Sequence, residues 1–260
     1  MDSPPRPAVL VTGGAKRIGA AIARGFAGAG WHVIVHYGHS AAEAEALAAE
    51  LPQAHAVHCD LMDSNAVKEF AVMLAARLPD WRCLVNCASV FEPDAATALD
   101  IDVFRRALRV NAAGPARLAQ TFLARGRSNG GKRVINLTDQ KLANPNPDFF
   151  SYTMSKHALA ATIPMLAQLR EKGGAAGPDD RVYGLAPGAI LPSHDQQPEE
   201  AEISHRLNLL ERRTGADEIA AACLWLAQGW LASGETLFID SGQHLLAQPR
   251  DVIYLARGQA

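Results

Sequence analysis

The sequence predicts an α/β protein: one doubly wound parallel sheet of about seven strands with helices on both faces. Three observations predict it. Short apolar runs alternate with helical stretches along nearly the whole chain. A glycine-rich turn, TGGAKRIG at 12–19, joins the first apolar run to the first helix. No linker or internal repeat divides the 260 residues, a length that one large domain accommodates.

The elements follow in order. AVLVT (8–12) is a buried strand and RIGAAIARGFAGAG (17–30) a helix. HVIVHY (32–37) is the second strand, and Ser40 opens a helix over 40–51 as its N-cap. Residues 55–59 form a third strand, 63–78 a third helix and 82–88 a fourth strand. A long helix spans about 102–123, followed by a strand at 133–138. The next helix runs from about 151 to 171, and Pro164 should kink it or remove one of its hydrogen bonds. A loop at 173–180, a strand at 181–187, a helix over 199–213, a helix over 216–230 and a strand at 235–240 complete the pattern. Parallel strands joined by helical crossovers are buried on both faces.

Composition narrows the function. Hydrophobic residues make up 48% and charged residues 20%, with a formal net charge of −2, so nothing electrostatic points to nucleic acid. No stretch approaches twenty apolar residues, and the N-terminus MDSPPRPAVL lacks a signal-peptide core. Cys59, Cys83, Cys87 and Cys223 match no zinc spacing and read as small buried hydrophobes of a reducing cytoplasm, with no metal site. Residues 1–7 form a short flexible lead, 8–246 the domain and 247–260 a tail. The tail is apolar at HLL and DVIYLA, so it is expected at a subunit interface, with Arg257 approaching a neighbour's active site.

The turn at 12–19 stands where a dinucleotide pyrophosphate would lie, since glycines admit the phosphates and the helix N-terminus attracts their charge. An ordinary tight turn is the alternative. Gly13, Lys16, Arg17, Ile18 and Gly19 are the candidate contacts, with Arg17 in place of the usual middle glycine. After the second strand the chain reads HYGHS, without the acid that bonds an NAD ribose. His36, His39 and Ser40, beside Tyr37, can instead donate to a 2′-phosphate, which predicts NADPH over NADH. Asp60, next to Leu61, either reaches the adenine amino group or caps a helix.

Tyr152 and Lys156 are spaced i, i+4 and share a helix face, where an ammonium lowers a phenol pKa. Asn111 is a poor helix former in mid-helix, a relay residue or a polar core group. Asp139 precedes Tyr152 by 13 residues. An ionised carboxylate only accepts hydrogen bonds, so it suits the N–H groups of a heterocycle better than a ketone oxygen. If protonated it could pass a proton along, and as a structural group it could cap the helix that follows.

The glycine turn, CDL at 59–61, NCAS at 86–89, Asn111, the Tyr152–Lys156 pair and PG at 187–188 occur in the order seen in short-chain dehydrogenase/reductases, and the chain resembles that family from about Ala8 to Leu246. The resemblance implies a single Rossmann-type domain, a nicotinamide dinucleotide, and usually a homotetramer. It also implies cofactor contacts from Asn86, Ala88, Pro187, Gly188 and Ile190, and a helix kinked around a water at Asn111. Arg17, HYGHS, ASVF at 88–91 and Asp139 look like the pteridine reductase and dihydromonapterin reductase branch. There, the resemblance implies that Phe91 stacks on the pterin opposite the nicotinamide, that Ser89 bonds pterin or phosphate, and that Arg17 reaches both. Cys87 departs from the family's usual Asn, and His39 from the branch's usual Arg. The expectation is an NADPH-dependent reductase of a pterin or dihydropterin. The alternatives are a short-chain carbonyl or imine reductase and a non-catalytic NADPH-binding protein.

Overall fold

The computed structural model describes residues 6–169, 177–192 and 196–258. Its sheet has seven parallel strands in the order β3-β2-β1-β4-β5-β6-β7. These are β1 Ala8–Val11, β2 His32–Tyr37, β3 Ala54–His58, β4 Trp81–Asn86, β5 Arg133–Leu137, β6 Arg181–Pro187 and β7 Thr236–Ile239. The order reverses between β1 and β4, so a crevice opens beyond their carboxyl ends.

Alternation along each strand fills two cores. Val9, Val11, Val33, Val35, Cys83 and Val85 face one side, against Ile22 and Phe26 of α1 (Arg17–Gly28), Leu47 of α2 (Ala41–Glu50) and Ile219 and Leu226 of α8 (Ala216–Ala227). Leu10, Ile34, Leu84 and Val134 face the other, against Val67, Phe70 and Leu74 of α3 (Ser64–Arg77) and Leu118 and Phe122 of α5 (Gly114–Arg125). Burial on both faces is why β1, β2 and β4 read as mostly apolar runs.

The helix expected over 102–123 is interrupted. It consists of α4 (Ile101–Leu108), a widened π-type turn at Arg109–Ala113, then α5. Pro115 explains the widening: it offers no N–H, and its ring crowds the carbonyl four residues back, that of Asn111. α6 spans Phe150–Ala167 and runs through Pro164, which stands within its last turn. The expected continuation of this helix to about 171 and most of the loop at 173–180 lie outside the described residues. Only residues 6–7 of the N-terminal lead are described; the rest of it lies outside.

One other expectation is corrected. The helix proposed over 199–213 is α7, Pro198–Ser204, and then ends in turns. Asn208 stops it by donating to the carbonyls of His205 and Arg212, local bonds that compete with a helix. In the tail, α9 (Val252–Ala256) buries Val252 and Ile253 against the body of its own chain. Arg257 pairs with Glu200 of the same chain at 3.1 Å. No described helix is long and apolar enough to cross a membrane.

Candidate active site

The glycine turn is fixed by steric contacts. Gly13 has φ +62°, and a Cβ there would lie 2.8 Å from Ala88 Cα at the end of β4. A Cβ on Gly19 would collide with the Gly13 carbonyl. The Thr12 hydroxyl, which sequence reasoning missed, accepts from the amides of Cys87 (3.0 Å) and Ala88 (3.1 Å) and ties the turn across the switch point. α1 starts with no side-chain cap and no acid in its first turn. Its N-terminal N–H groups and positive dipole end therefore face an anion-sized cradle. These residues fit a dinucleotide pyrophosphate.

His36 is not where the sequence reading put it. Its ring is buried, Nδ1 accepts from the Gly13 amide (3.2 Å) and Nε2 donates to the Cys59 carbonyl (2.9 Å). Burial depresses its pKa to about 4. The ring buttresses the turn and cannot donate to a phosphate. His39 stays exposed, and Ser40 sits at the start of α2 without using its side chain as a cap. Tyr37 is half-buried beside His58. Lys16 pairs with Glu43 at 3.2 Å, a half-exposed contact that is readily exchanged. Asp60 accepts from the Met62 amide (2.9 Å) and shapes that turn, while the cap of α3 is Asp63; Leu61 is buried. The Asn86 side chain donates to Asn136 (2.8 Å) inside the sheet, and its amide oxygen is buried. Ser89 is exposed and lies apart from the cavity described next.

One cavity gathers Arg17, Ile18, Phe91, Asp139, Tyr152, Gly188 and Ile190. Arg17 adopts φ +55° and donates to the Pro192 carbonyl (2.9 Å) across the mouth. Gln243 accepts from the Ala189 amide (2.9 Å), and Gly188 leaves room for it. Pro187 ends β6 directly before this loop. Within the cavity the Tyr152 hydroxyl donates to Asp139 Oδ2 at 2.6 Å, and Asp139 Oδ1 accepts from the Lys141 amide at 2.9 Å. Asp139 thus also caps a short helical turn at Gln140–Leu142, the structural role foreseen as its alternative.

Electrostatics correct the phenolate expectation. Burial, followed by the charge of Asp139, holds the Tyr152 pKa well above its ordinary value. Lys156 does not offset this: its ammonium donates to the Leu137 carbonyl (2.7 Å) and lies 5.5 Å from the Tyr152 ring centre. Burial also raises the Asp139 carboxyl, opposed by Lys141, the Tyr152 bond and Lys156. Burial lowers the Lys156 pKa. A neutral phenol bonded to a carboxylate is a loaded proton donor.

Asn111 lies in the widened turn and is fully buried. It accepts from the Val90 amide (2.8 Å) and donates to the Val90 carbonyl and Ser155 hydroxyl, both at 2.9 Å. It therefore ties the Phe91 loop to α6. Phe91 stacks on Phe149 at 4.0 Å and 18°, with its other neighbour Tyr152 edge-on at 4.7 Å. Phe149 has φ +51°, a rare conformation for a bulky residue.

Sequence reasoning missed Phe149, Lys141, His205, Gln243 and the tail residues Asp251, Val252 and Ile253, of which all but Phe149 line the cavity. The left-handed φ of Phe149 leaves no mark in composition, and the tail contacts join residues about a hundred positions apart.

A family model described as enoyl-(acyl carrier protein) reductase matches residues 13–244. The chain belongs to the short-chain dehydrogenase/reductase family. Its enzymes are oxidoreductases, and the single sheet above is the family's Rossmann-type fold. A crystal structure of FolM alternative dihydrofolate reductase 1 from Brucella canis, complexed with NADP, is 34% identical with a TM-score of 0.85, covering 94% of this chain and 96% of that one. Pteridine reductase 1 of Leishmania tarentolae is 29% identical over 94% of this chain and 98% of its own. D-threitol dehydrogenase of Mycolicibacterium smegmatis is 31% identical over 90% and 91%. Members similar to this chain thus span heterocycle and polyol chemistry.

Proposed function

We propose that this protein is an NADPH-dependent reductase of pterins or dihydropterins. The observation that carries the reading is the 2.6 Å bond between Asp139 and the Tyr152 hydroxyl inside a cavity that also holds Arg17 and Phe91. A carboxylate at that point repels a carbonyl oxygen and attracts N–H groups. The Brucella reductase, similar over nearly the whole chain, supports the choice.

The cradle at Gly13, Ile18 and Gly19 would hold the pyrophosphate. Lys16, Arg17, His39 and Ser40 would hold the 2′-phosphate, Asp60, Leu61 and Ala88 the adenosine, and Lys156 with residues 187–190 the nicotinamide riboside. NADPH, when bound, supplies hydride to the carbon of a C=N bond. Tyr152, its hydroxyl oriented by Asp139, gives its proton to the nitrogen. Asp139 orients that hydroxyl and anchors a substrate N–H. Phe91, backed by Phe149, covers the flat ring. Asn111 holds the Phe91 loop in place through Val90.

NADPH oxidation measured against oxidised pterins, dihydropterins, dihydrofolate and simple ketones tests the reading. Turnover of a dihydropterin and none of ketones is expected. The reverse selects the carbonyl reductase reading, which the similarity to a D-threitol dehydrogenase favours. Tyr152→Phe should stop turnover and leave NADPH binding intact. The reading includes a homotetramer in the cytoplasm: Trp225 and Trp230 are 41% and 73% exposed, an apolar pair suited to a subunit contact. The four cysteines are free thiols, and burial pushes that of Cys59 up to about 11, as suits a reducing compartment. A monomer by light scattering would remove the tetramer.

A further inference from the structure

Lys141 is a buried lysine that the mechanism above does not use. Its amide donates to Asp139 Oδ1 (2.9 Å), which turns Oδ2 toward Tyr152. Its ammonium pairs with Asp251 Oδ2 at 2.6 Å, donates to the Asp148 carbonyl (3.3 Å) and lies 5.2 Å from the Phe149 ring centre. Lys141 and Asp251 are both buried, and both line the substrate cavity.

The same knot fastens the C-terminal segment to the loop before α6. Arg250 bonds the Asp148 carboxylate through Nε (2.8 Å) and Nη2 (3.0 Å), and the Asp251 amide donates to it as well (2.8 Å). Ile253 then packs with Phe149 and Tyr152, and Tyr254 lies near-parallel to Phe149 at 6.0 Å. An ion pair enclosed in protein is costly to assemble and does little for stability by itself. This one contacts the Asp139 loop, the strained Phe149 and the segment walling the cavity.

We propose that Lys141 is a positioning residue for the Asp139–Tyr152 pair, held in place by Asp251 of the chain's own C-terminal segment. The proposal rests on the reading that Asp139 and Tyr152 carry the reaction. The amide of Lys141 fixes which oxygen of Asp139 meets the phenol. The ammonium supplies positive charge beside that carboxylate and keeps it an acceptor. The groups facing Asp139 are Tyr152 and Lys156 of α6 and Lys141 of its own turn; Asp251 before α9 and Cys87 just after β4 face the Tyr152 phenol instead, and Arg17 lines the same cavity. Among these, Lys141 is the leading influence holding the Asp139 carboxyl down against burial.

The test separates counter-ion from positioning residue. Lys141→Met and Asp251→Asn each leave one buried charge unpaired and should lower the melting temperature. The double variant Lys141→Met/Asp251→Asn removes both charges and should recover it. If Lys141 acts on Asp139, the double variant keeps a kcat about tenfold or more below wild type for 7,8-dihydropterin. The pH dependence of its turnover should move upward by about one unit, and Lys141→Arg should restore most of kcat. A double variant with wild-type kcat and pH profile would overturn the proposal and leave Lys141 as a counter-ion.

A substrate-free arm keeps this separate from the functional reading. The Asp139 carboxyl, assigned by its loss in Asp139→Asn, is titrated by carbon-13 NMR in the full chain. Its midpoint should rise in the double variant even if the wild type reduces none of the pterins offered. An unchanged midpoint would sink the proposal with the functional reading untouched.

Discussion

Acid should weaken this protein through His36. The ring is fully enclosed, with Nδ1 accepting from Gly13 and Nε2 donating to Cys59, so only the neutral form satisfies both partners. A second proton on Nδ1 would point at the Gly13 N–H. Burial drops the pKa from 6.5 to about 4. Between these values the unfolded chain binds one more proton than the folded one, so stability is complete above pH 6.5 and falls as the pH drops toward 4. At about 1.4 kcal/mol per unit, the 6.5-to-4 interval amounts to about 3.5 kcal/mol. That is a large share of a typical folding free energy of roughly 5–15 kcal/mol. Urea unfolding at a series of pH values gives the free energy in water for wild type and for His36→Gln. The variant starts lower, having lost bonds to the turn, but its curve should be shallower by about one proton's slope. Subtracting the two curves removes the other titrating groups. Parallel curves would refute the assignment of His36 as a buried neutral buttress.

Other outcomes follow from the same geometry. Asp139→Asn should cut turnover by about a hundredfold or more. It should also raise the melting temperature at neutral pH: Asp139 has a raised folded pKa, so stability is lost as pH rises from the unfolded carboxylate range through the folded value, and Asn removes that loss. Equal gains at neutral and acid pH, by calorimetry, would contradict this. Gly13→Ala places a Cβ 2.8 Å from Ala88 Cα at φ +62°, so NADPH affinity by fluorescence titration should fall while the sheet still forms. Phe91→Ala removes the ring that stacks on Phe149, so KM for a planar substrate should rise more than kcat falls; unchanged kinetics would sink the stacking role.

The inner strands were legible because β1, β2 and β4 are short, mostly apolar runs bounded by turn residues, and burial on both faces leaves them little polar side to confuse the pattern. The cavity group of Arg17, Phe91, Asp139 and Tyr152 was legible from its residue types and order. His36 was misread although the signal was present: it is two residues from Ile34 and shares its face, which packs on α3, where Phe70 meets the His36 ring at 5.8 Å. Pro115 also announced the break in the long helix, four residues after Asn111. The C-terminal segment was illegible. Its charges suit solvent as well as burial, and only the fold brings Asp251 to Lys141. Asn208 likewise ends α7's neighbourhood through side-chain bonds that residue propensities do not rank.

The hydroxyl of Thr12 meets its partners 75 and 76 residues further along the chain. Contacts at that separation form slowly, because a long loop must close before they are rewarded. The rigid turn is therefore complete only once β4 lies in the sheet beside β1. A cofactor that binds this turn recognises the finished topology and no earlier intermediate. By mass action it draws the population toward molecules whose central strands are already in order. Refolding yield should then depend on when the dinucleotide is present, as well as on how tightly it binds.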